Sequence, residues 1–493
     1  MKRVALVLAG LLVAGIARAQ PAPAQPGADR TTTHSLALPG RTLAFTATVS
    51  TIRLANPAGA TVAEIVTTAF QLSGAPPGTR PVTFAVNGGP GASSAWLNLG
   101  AIGPWRVPLG GPGGITAPSA RPMTADNAET WLDFTDLVFI DPAGTGYSRA
   151  TGGDEVQRAM QSVDGDIRSL ASVIHRWLQA QGRLASPKFI VGESYGGFRG
   201  PKLARVLLDQ QGVGISGLVL VSPVLDFNGR DAPWDPLRWV GRLPSLAAAA
   251  RGAQGRAELR DAEDYAATDY LIDLVRGEHD PAAVERLSSR VAALTGIDPA
   301  LVRRRAGKLD LGAVLRDRDP GRVGSPYDAT VLAADPFPAA ANDNSPDPVL
   351  DGLRGPVTGA ILDLLRGRLD WQPEGAPARQ YYLLNDAIAR EWDYGHGSSR
   401  PEALTELRQY LALDPTARVL VAHGLTDLVT PYFASKLLLD QVPETSPPGR
   451  LDLRVYGGGH MFYSRDISRA AFHGDVEALV RSALDPAAST PPR

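Results

Sequence analysis

Cysteine is absent from the 493 residues, so the chain can form no disulfide and offers no thiolate as nucleophile or metal ligand. Histidine is scarce. Seven occur, none of them in HxxxH or HxH spacing, so no zinc site is expected and no cofactor is called for. An excess of one charge is also missing. The 49 basic and 51 acidic residues leave a formal net charge of -2, which gives no long-range pull toward nucleic acid or anionic lipid. No apolar run approaches the ~18 residues that a membrane span requires. What is present is ordinary for a folded protein: 44% hydrophobic and 20% charged residues, enough for a sizeable packed core.

The N-terminus is the first informative stretch. Lys2 and Arg3 precede an apolar run from Val4 to Ile16, and Ala17-Arg18-Ala19 offers a small-x-small cleavage site before Gln20. That is the pattern of a secretory signal peptide. The expectation is a leader over 1–19, then a secreted or periplasmic chain without membrane attachment.

Residues 20–35 are expected as a flexible lead-in, because Pro, Ala and Gly dominate its start. From Leu36 to Gln71 apolar and polar residues alternate, as antiparallel strands do. The texture then changes to short continuous apolar runs: Pro81–Val86, Asp136–Asp141, Lys188–Val191 and Leu218–Val221. A helical pattern covers Val163–Gln181, and another is expected from about Gly200 to Gln210. Apolar strands alternating with helices predict a mostly parallel sheet covered on both faces. The rhythm is lost over 232–379, which is expected as a helical cap insertion, and returns at Ala417–Ala422 and Leu451–Tyr456. A last helix is expected over Asp475–Leu484. The core is therefore read as 36–231 plus 380–487, with a frayed tail over 488–493.

Gly192-Glu193-Ser194-Tyr195-Gly196 lies directly after a strand and before a helix. A G-x-S-x-G sequence in that setting turns so tightly that the serine hydroxyl projects above the sheet. A hydroxyl needs a base, and the base needs an orienting acid. In this arrangement the chain order is Ser, acid, His. Asp427 follows the strand at 417–422, and His460 follows the strand at 451–456, each in a glycine-flanked loop. His423 and His396 are rivals for the base, and Asp141 and Asp226 are rivals for the acid. Donors for a developing oxyanion are expected from the N–H of Tyr195 and from Gly89 in the loop Asn87-Gly88-Gly89-Pro90-Gly91. That loop is not phosphate-binding: it lacks a following Lys, and Pro90 removes a donor. The Gly110–Gly114 run is read as a surface loop.

These residues together resemble the serine carboxypeptidases, in a bacterial-type form. The resemblance rests on four blocks in order. They are Asn87–Ser94 (NGGPGASS), Asp141–Ser148 (DPAGTGYS), Gly192–Gly197 (GESYGG), and Gly424–Asp427 (GLTD) with Gly458–Met461 (GGHM). It implies an α/β-hydrolase fold, no metal, and release of single residues from the C-termini of peptides. It also implies that Asn87, Gly88 and Glu193 receive the terminal carboxylate of the substrate. Two carboxylates at close range share a proton, so acid pH is favoured. Three positions depart from the family pattern. Ala85 stands where Trp is usual, and Ala92 where Cys is usual. Ala101, before Gly103-Pro104, stands where a second Glu is usual.

The leading reading is thus a serine carboxypeptidase acting through an acyl-enzyme on Ser194. The loss of a glutamate at Ala101 keeps an esterase or acyltransferase on the same scaffold as the alternative. A binding protein without catalysis is the third reading.

Overall fold

The computed structural model describes residues 27–76, 78–110, 116–228, 232–340, 345–376, 378–395, 400–445 and 447–485. The expected signal peptide, the tail over 488–493, His396, and most of the Gly110–Gly114 loop lie outside them.

Three antiparallel strands come first: β1 (Arg30–Leu38), β2 (Arg41–Ala55) and β3 (Thr61–Leu72). In β2 the alternation is plain, with Leu43, Phe45, Ala47 and Val49 buried and Ala44 exposed between them. Residues 30–35, expected in the lead-in, are strand. β1 begins at Arg30 because its polar start is ordered by pairing, from Arg30 opposite Val49 to Leu38 opposite Arg41. A ladder supplied by a partner strand leaves no hydrophobic mark on the residues it orders.

Six shorter strands follow: β4 (Val82–Val86), β5 (Asp136–Ile140), β6 (Lys188–Glu193), β7 (Gly217–Val221), β8 (Arg418–Gly424) and β9 (Leu451–Tyr456). They join the first three in one sheet, ordered β1-β2-β3-β5-β4-β6-β7-β8-β9. From β5 to β9 every neighbouring pair is parallel, whereas β3 meets β5 antiparallel. A short segment, Arg149–Ala150, pairs with β3 as a tenth strand. Every residue of β4 through β8 is buried, as expected of strands covered on both faces.

Successive strand residues feed opposite layers. Phe84, Val138, Ile190, Leu220 and Val421 pack with α1 (Val163–Ala180), α2 (Tyr195–Gln211) and a helix over Leu404–Leu413. Ala85, Phe139, Val191, Val219 and Leu420 face the other way, toward α3 (Asp466–Leu484) and the residues of β1 and β2. The helix α2 starts directly after Ser194 rather than near Gly200, because the glycines at 196, 197 and 200 hide its beginning in the sequence. Likewise α3 starts at Asp466, ahead of Asp475, and its first turns carry charged residues such as Arg469.

This is the α/β-hydrolase fold. The chain runs from β4 to β5 on one side and later enters β6 on the other, so the strand order reverses at β4 and β6. Open parallel sheets bind ligands in the crevice outside the carboxyl ends of the strands at such a reversal. Asn87 follows β4, and Ser194 follows β6.

The stretch between β7 and β8 divides in two. Helices from Pro236 to Arg304 form a cluster of their own around Val240, Leu243, Leu287 and Val291, seated on Leu425, Leu428, Tyr432 and Phe433. A hairpin of Arg322–Gly324 with Leu332–Ala334 follows. The helix Leu350–Asp363 then leaves that cluster and packs Leu353, Val357 and Ile361 into the layer containing β1 and β2.

Candidate active site

Ser194 has φ 60 and ψ -118, in the sparsely populated positive-φ region, and precedes the first residue of α2. Such strain persists only where the surroundings impose it. Here a Cβ at Gly192 would lie 1.9 Å from the Gly196 carbonyl oxygen, and one at Gly196 would lie 2.3 Å from the Val86 oxygen. The strand, the turn and the helix therefore touch backbone to backbone, which the two glycines permit. The Ser194 N–H donates to the Val221 oxygen at 2.8 Å. Ser194 remains partly exposed while Glu193 and Tyr195 on either side are buried.

His460 and Asp427 meet on the loops after β9 and β8. The imidazole Nδ1 lies 2.8 Å from Asp427 Oδ2, and a carboxylate can only accept, so Nδ1 carries the proton. Asp427 Oδ1 accepts from the N–H groups of Val429 (2.8 Å) and Thr430 (3.0 Å). The Thr430 hydroxyl stands 2.7 Å from Asp427 Oδ2 and 2.9 Å from the Ser222 oxygen, and its single proton serves one of them at a time. Burial opposes the charge on Asp427. The field and hydrogen bond of His460, with the Thr430 donors, outweigh it and hold the carboxyl below its ordinary value. The backbone around His460 is pinned from two sides. The Ser222 hydroxyl donates to the His460 oxygen at 2.7 Å, and the His460 N–H donates to the Tyr327 oxygen at 2.6 Å. Because Ser222 adjoins Val221, which holds the Ser194 N–H, the two loops are tied to the turn that carries Ser194.

The loop after β4 lies on this turn. A Cβ at Gly88 would sit 2.5 Å from the Tyr195 nitrogen and 2.6 Å from the Glu193 oxygen. Gly89 is exposed, with φ 100. Tyr195 opens α2, so its N–H has no acceptor within the helix. Asn87 and Glu193, each 3% exposed, are bonded to each other, from Asn87 Nδ2 to Glu193 Oε2 at 2.6 Å. The other Glu193 oxygen accepts from the Tyr463 hydroxyl at 2.8 Å. Burial pushes the Glu193 carboxyl up, against the opposing pull of the His460 charge and these two hydrogen bonds.

The rivals have other partners. His423 is wholly buried, bonded through Nε2 to Ser435 Oγ at 2.9 Å, and burial lowers it to about 4, which keeps it neutral. Asp141 accepts the Ser94 N–H at 2.8 Å, and burial raises it to about 7. Asp226 accepts from the N–H and side chain of Asn228 at 2.8 and 2.7 Å. Ala101 is 1% exposed, and its carbonyl accepts from Asn127 Nδ2 at 2.9 Å.

Several supporting residues carry no sequence motif of their own. Arg199 lies buried on α2, pairs both oxygens of Asp166 at 2.7 and 3.2 Å, and donates to the Asn87 carbonyl. Thr430, Ser222, Tyr327 and Tyr463 belong to the same group. Thr430 and Tyr463 each lie three residues after a predicted site residue, Asp427 and His460, and that nearness is the one signal the sequence offers for this group.

Residues 69–234 match the family model described as serine carboxypeptidase. The match is to the serine carboxypeptidases. It takes in Asn87, Gly88, Gly89, Glu193, Ser194 and Tyr195 and ends before Asp427 and His460. Serine carboxypeptidase-like 45 of Arabidopsis thaliana is 29% identical over 167 residues, 31% of this chain and 33% of that protein. Pheromone-processing carboxypeptidase KEX1 of Metarhizium robertsii is 32% identical over 126 residues, 25% of this chain and 18% of that protein. The chain spans about a third of the length of the Arabidopsis relatives it matches. Among solved structures, a thermophilic esterase from Thermogutta terrifontis is 13% identical, with TM-score 0.36, covering 88% of this chain and 98% of that one. Among the described residues, no helix is long and apolar enough to cross a membrane.

Proposed function

We propose that the protein is a serine-type carboxypeptidase in which Ser194 is the nucleophile, His460 the base and Asp427 its orienting acid. The carrying observation is the 2.8 Å pair of Asp427 and His460, on loops fastened to the turn that presents Ser194. With the proton fixed on Nδ1, Nε2 is the basic nitrogen. It takes the Ser194 proton as Oγ bonds to the scissile carbonyl carbon. The N–H groups of Gly89 and Tyr195 receive the developing oxyanion. The imidazolium then gives its proton to the leaving amine, the C–N bond breaks, and the acyl group stays on Ser194. Water, deprotonated by the same imidazole, releases it. At the other end of the substrate, Asn87, Gly88 and Glu193 meet the terminal carboxylate.

Ser194→Ala should lower kcat on the order of 10³-fold or more. Turnover at the normal rate by that variant would rule the assignment out. A blocked dipeptide with a free C-terminus should be cut faster than its amide. Equal rates would instead favour an esterase or acyltransferase, the reading supported by the methyl of Ala101 where the resemblance calls for a carboxylate. Export to the periplasm or the medium is part of the proposal. It rests on residues 1–19 and is tested by whether the mature chain begins at Gln20.

A further inference from the structure

We infer that Tyr463 is a positioning residue for the substrate's free C-terminus, its hydroxyl setting the pH above which Glu193 refuses that carboxylate. The inference rests on the carboxypeptidase reading and deepens it.

Glu193 and Tyr463 are both buried, 3% and 0% exposed, and their bond at 2.8 Å joins the loop of the base to the strand end that carries the nucleophile. The Tyr463 ring lies on the segment containing Ala101: a Cβ at Gly100 would be 2.9 Å from its Cε2. The hydroxyl is thus delivered from the same side as Ala101. Burial pushes the phenol well above its usual range, so it acts as a neutral donor. Asn87 supplies the second donor. The charged and titratable groups facing Glu193 are His460, which favours its anion, and Asp427, which opposes it. Tyr327 also faces it and is itself pushed up by burial, and so stays neutral.

A substrate carboxylate arriving beside an ionised Glu193 meets a like charge. One proton between the two carboxyls removes the repulsion and leaves a hydrogen bond. Whatever stabilises the Glu193 anion therefore lowers the pH at which that proton is lost. Tyr463 does this with one hydrogen bond, and it does so without adding a charge.

The test uses the full chain, a blocked dipeptide acid and its ester, and the variant Tyr463→Phe, which keeps the ring. For the acid, the alkaline limb of kcat/KM should move up by about one pH unit, the worth of one hydrogen bond to a charged group. For the ester, the shape of the profile should not move. Equal shifts for acid and ester would place the effect on His460 and overturn the inference. So would an unmoved limb for the acid. Glu193→Gln keeps a side chain of the same shape and, on its own, should abolish the limb that is specific to the acid. Its persistence overturns the inference too, and this variant serves if Tyr463→Phe fails to fold. Wild-type profiles that are identical for acid and ester would overturn the carboxypeptidase reading itself, a different outcome from a difference that Tyr463→Phe leaves in place.

Discussion

The loop that holds Asp427 and the strand end that holds Glu193 place two carboxyl groups in the field of one imidazole, and they are driven in opposite directions. Both are buried, so burial does not distinguish them. The donors do. Asp427 is met by two backbone N–H groups, the Thr430 hydroxyl and the imidazole itself. Glu193 has the side chains of Asn87 and Tyr463. A carboxyl on a loop that curls back over its own oxygens stays charged. One met only by the side chains of Asn87 and Tyr463 is left to burial, which pushes it up. The sign of the resulting pH dependence follows. Asp427, held down, stabilises the fold above its ordinary value of 3.8, and that contribution is lost as the pH falls through its lower folded value. Glu193, pushed up, favours the fold at acid pH, and that contribution is lost as the pH rises past 4.5 through its higher folded value.

The contrast breaks most severely at Asp427→Asn. The amide would present a donor to Nδ1, force the proton onto Nε2 and leave no base. Turnover of acid and ester substrates should fall alike, on the order of 10⁴-fold. A loss confined to the acid would show that Asp427 serves binding instead. Thr430→Val removes one donor from the Asp427 side alone. A roughly tenfold fall in kcat is expected for both substrates, as for one lost bond to a charged group. An unchanged kcat would mean that the hydroxyl proton resides on the Ser222 oxygen. The smallest effect is thermodynamic. Glu193→Gln imitates the protonated form, so its melting temperature should lose less than the wild type's as the pH is raised from acid to neutral, by on the order of a few degrees. Parallel curves would show that Glu193 titrates normally.

The fold was legible wherever hydrophobic period and strand length agreed. The runs at Val82–Val86 and Gly217–Val221 read as buried strands because no polar face interrupts them. The start of β1 was not legible, since Thr31 to Thr33 owe their order to β2. The beginning of α2 was hidden by glycines that a helix interior rarely uses, present here because the backbones of Gly196 and Val86 meet. Ser194, Asp427 and His460 stood out as candidates because each follows a strand with glycine close by. Tyr463 and Arg199 did not, because a single buried tyrosine or arginine looks the same in sequence whatever it holds. The division of 232–379 was equally silent, as helical patterning does not say which core a helix joins.

The segment from Ser325 to Ala329 supplies three backbone bonds to the loops around the site: His460 N–H to the Tyr327 oxygen, Leu428 N–H to the Pro326 oxygen, and Ala329 N–H to the Thr426 oxygen. The stretch between β7 and β8 is thereby stitched to the loops that carry Asp427 and His460. Exchanging this stretch for another would remove the carbonyl that holds the His460 N–H. A graft that begins before this stitch and ends after it must bring its own carbonyl to residue 460, whereas grafts confined to Pro236–Arg304 leave the seam closed.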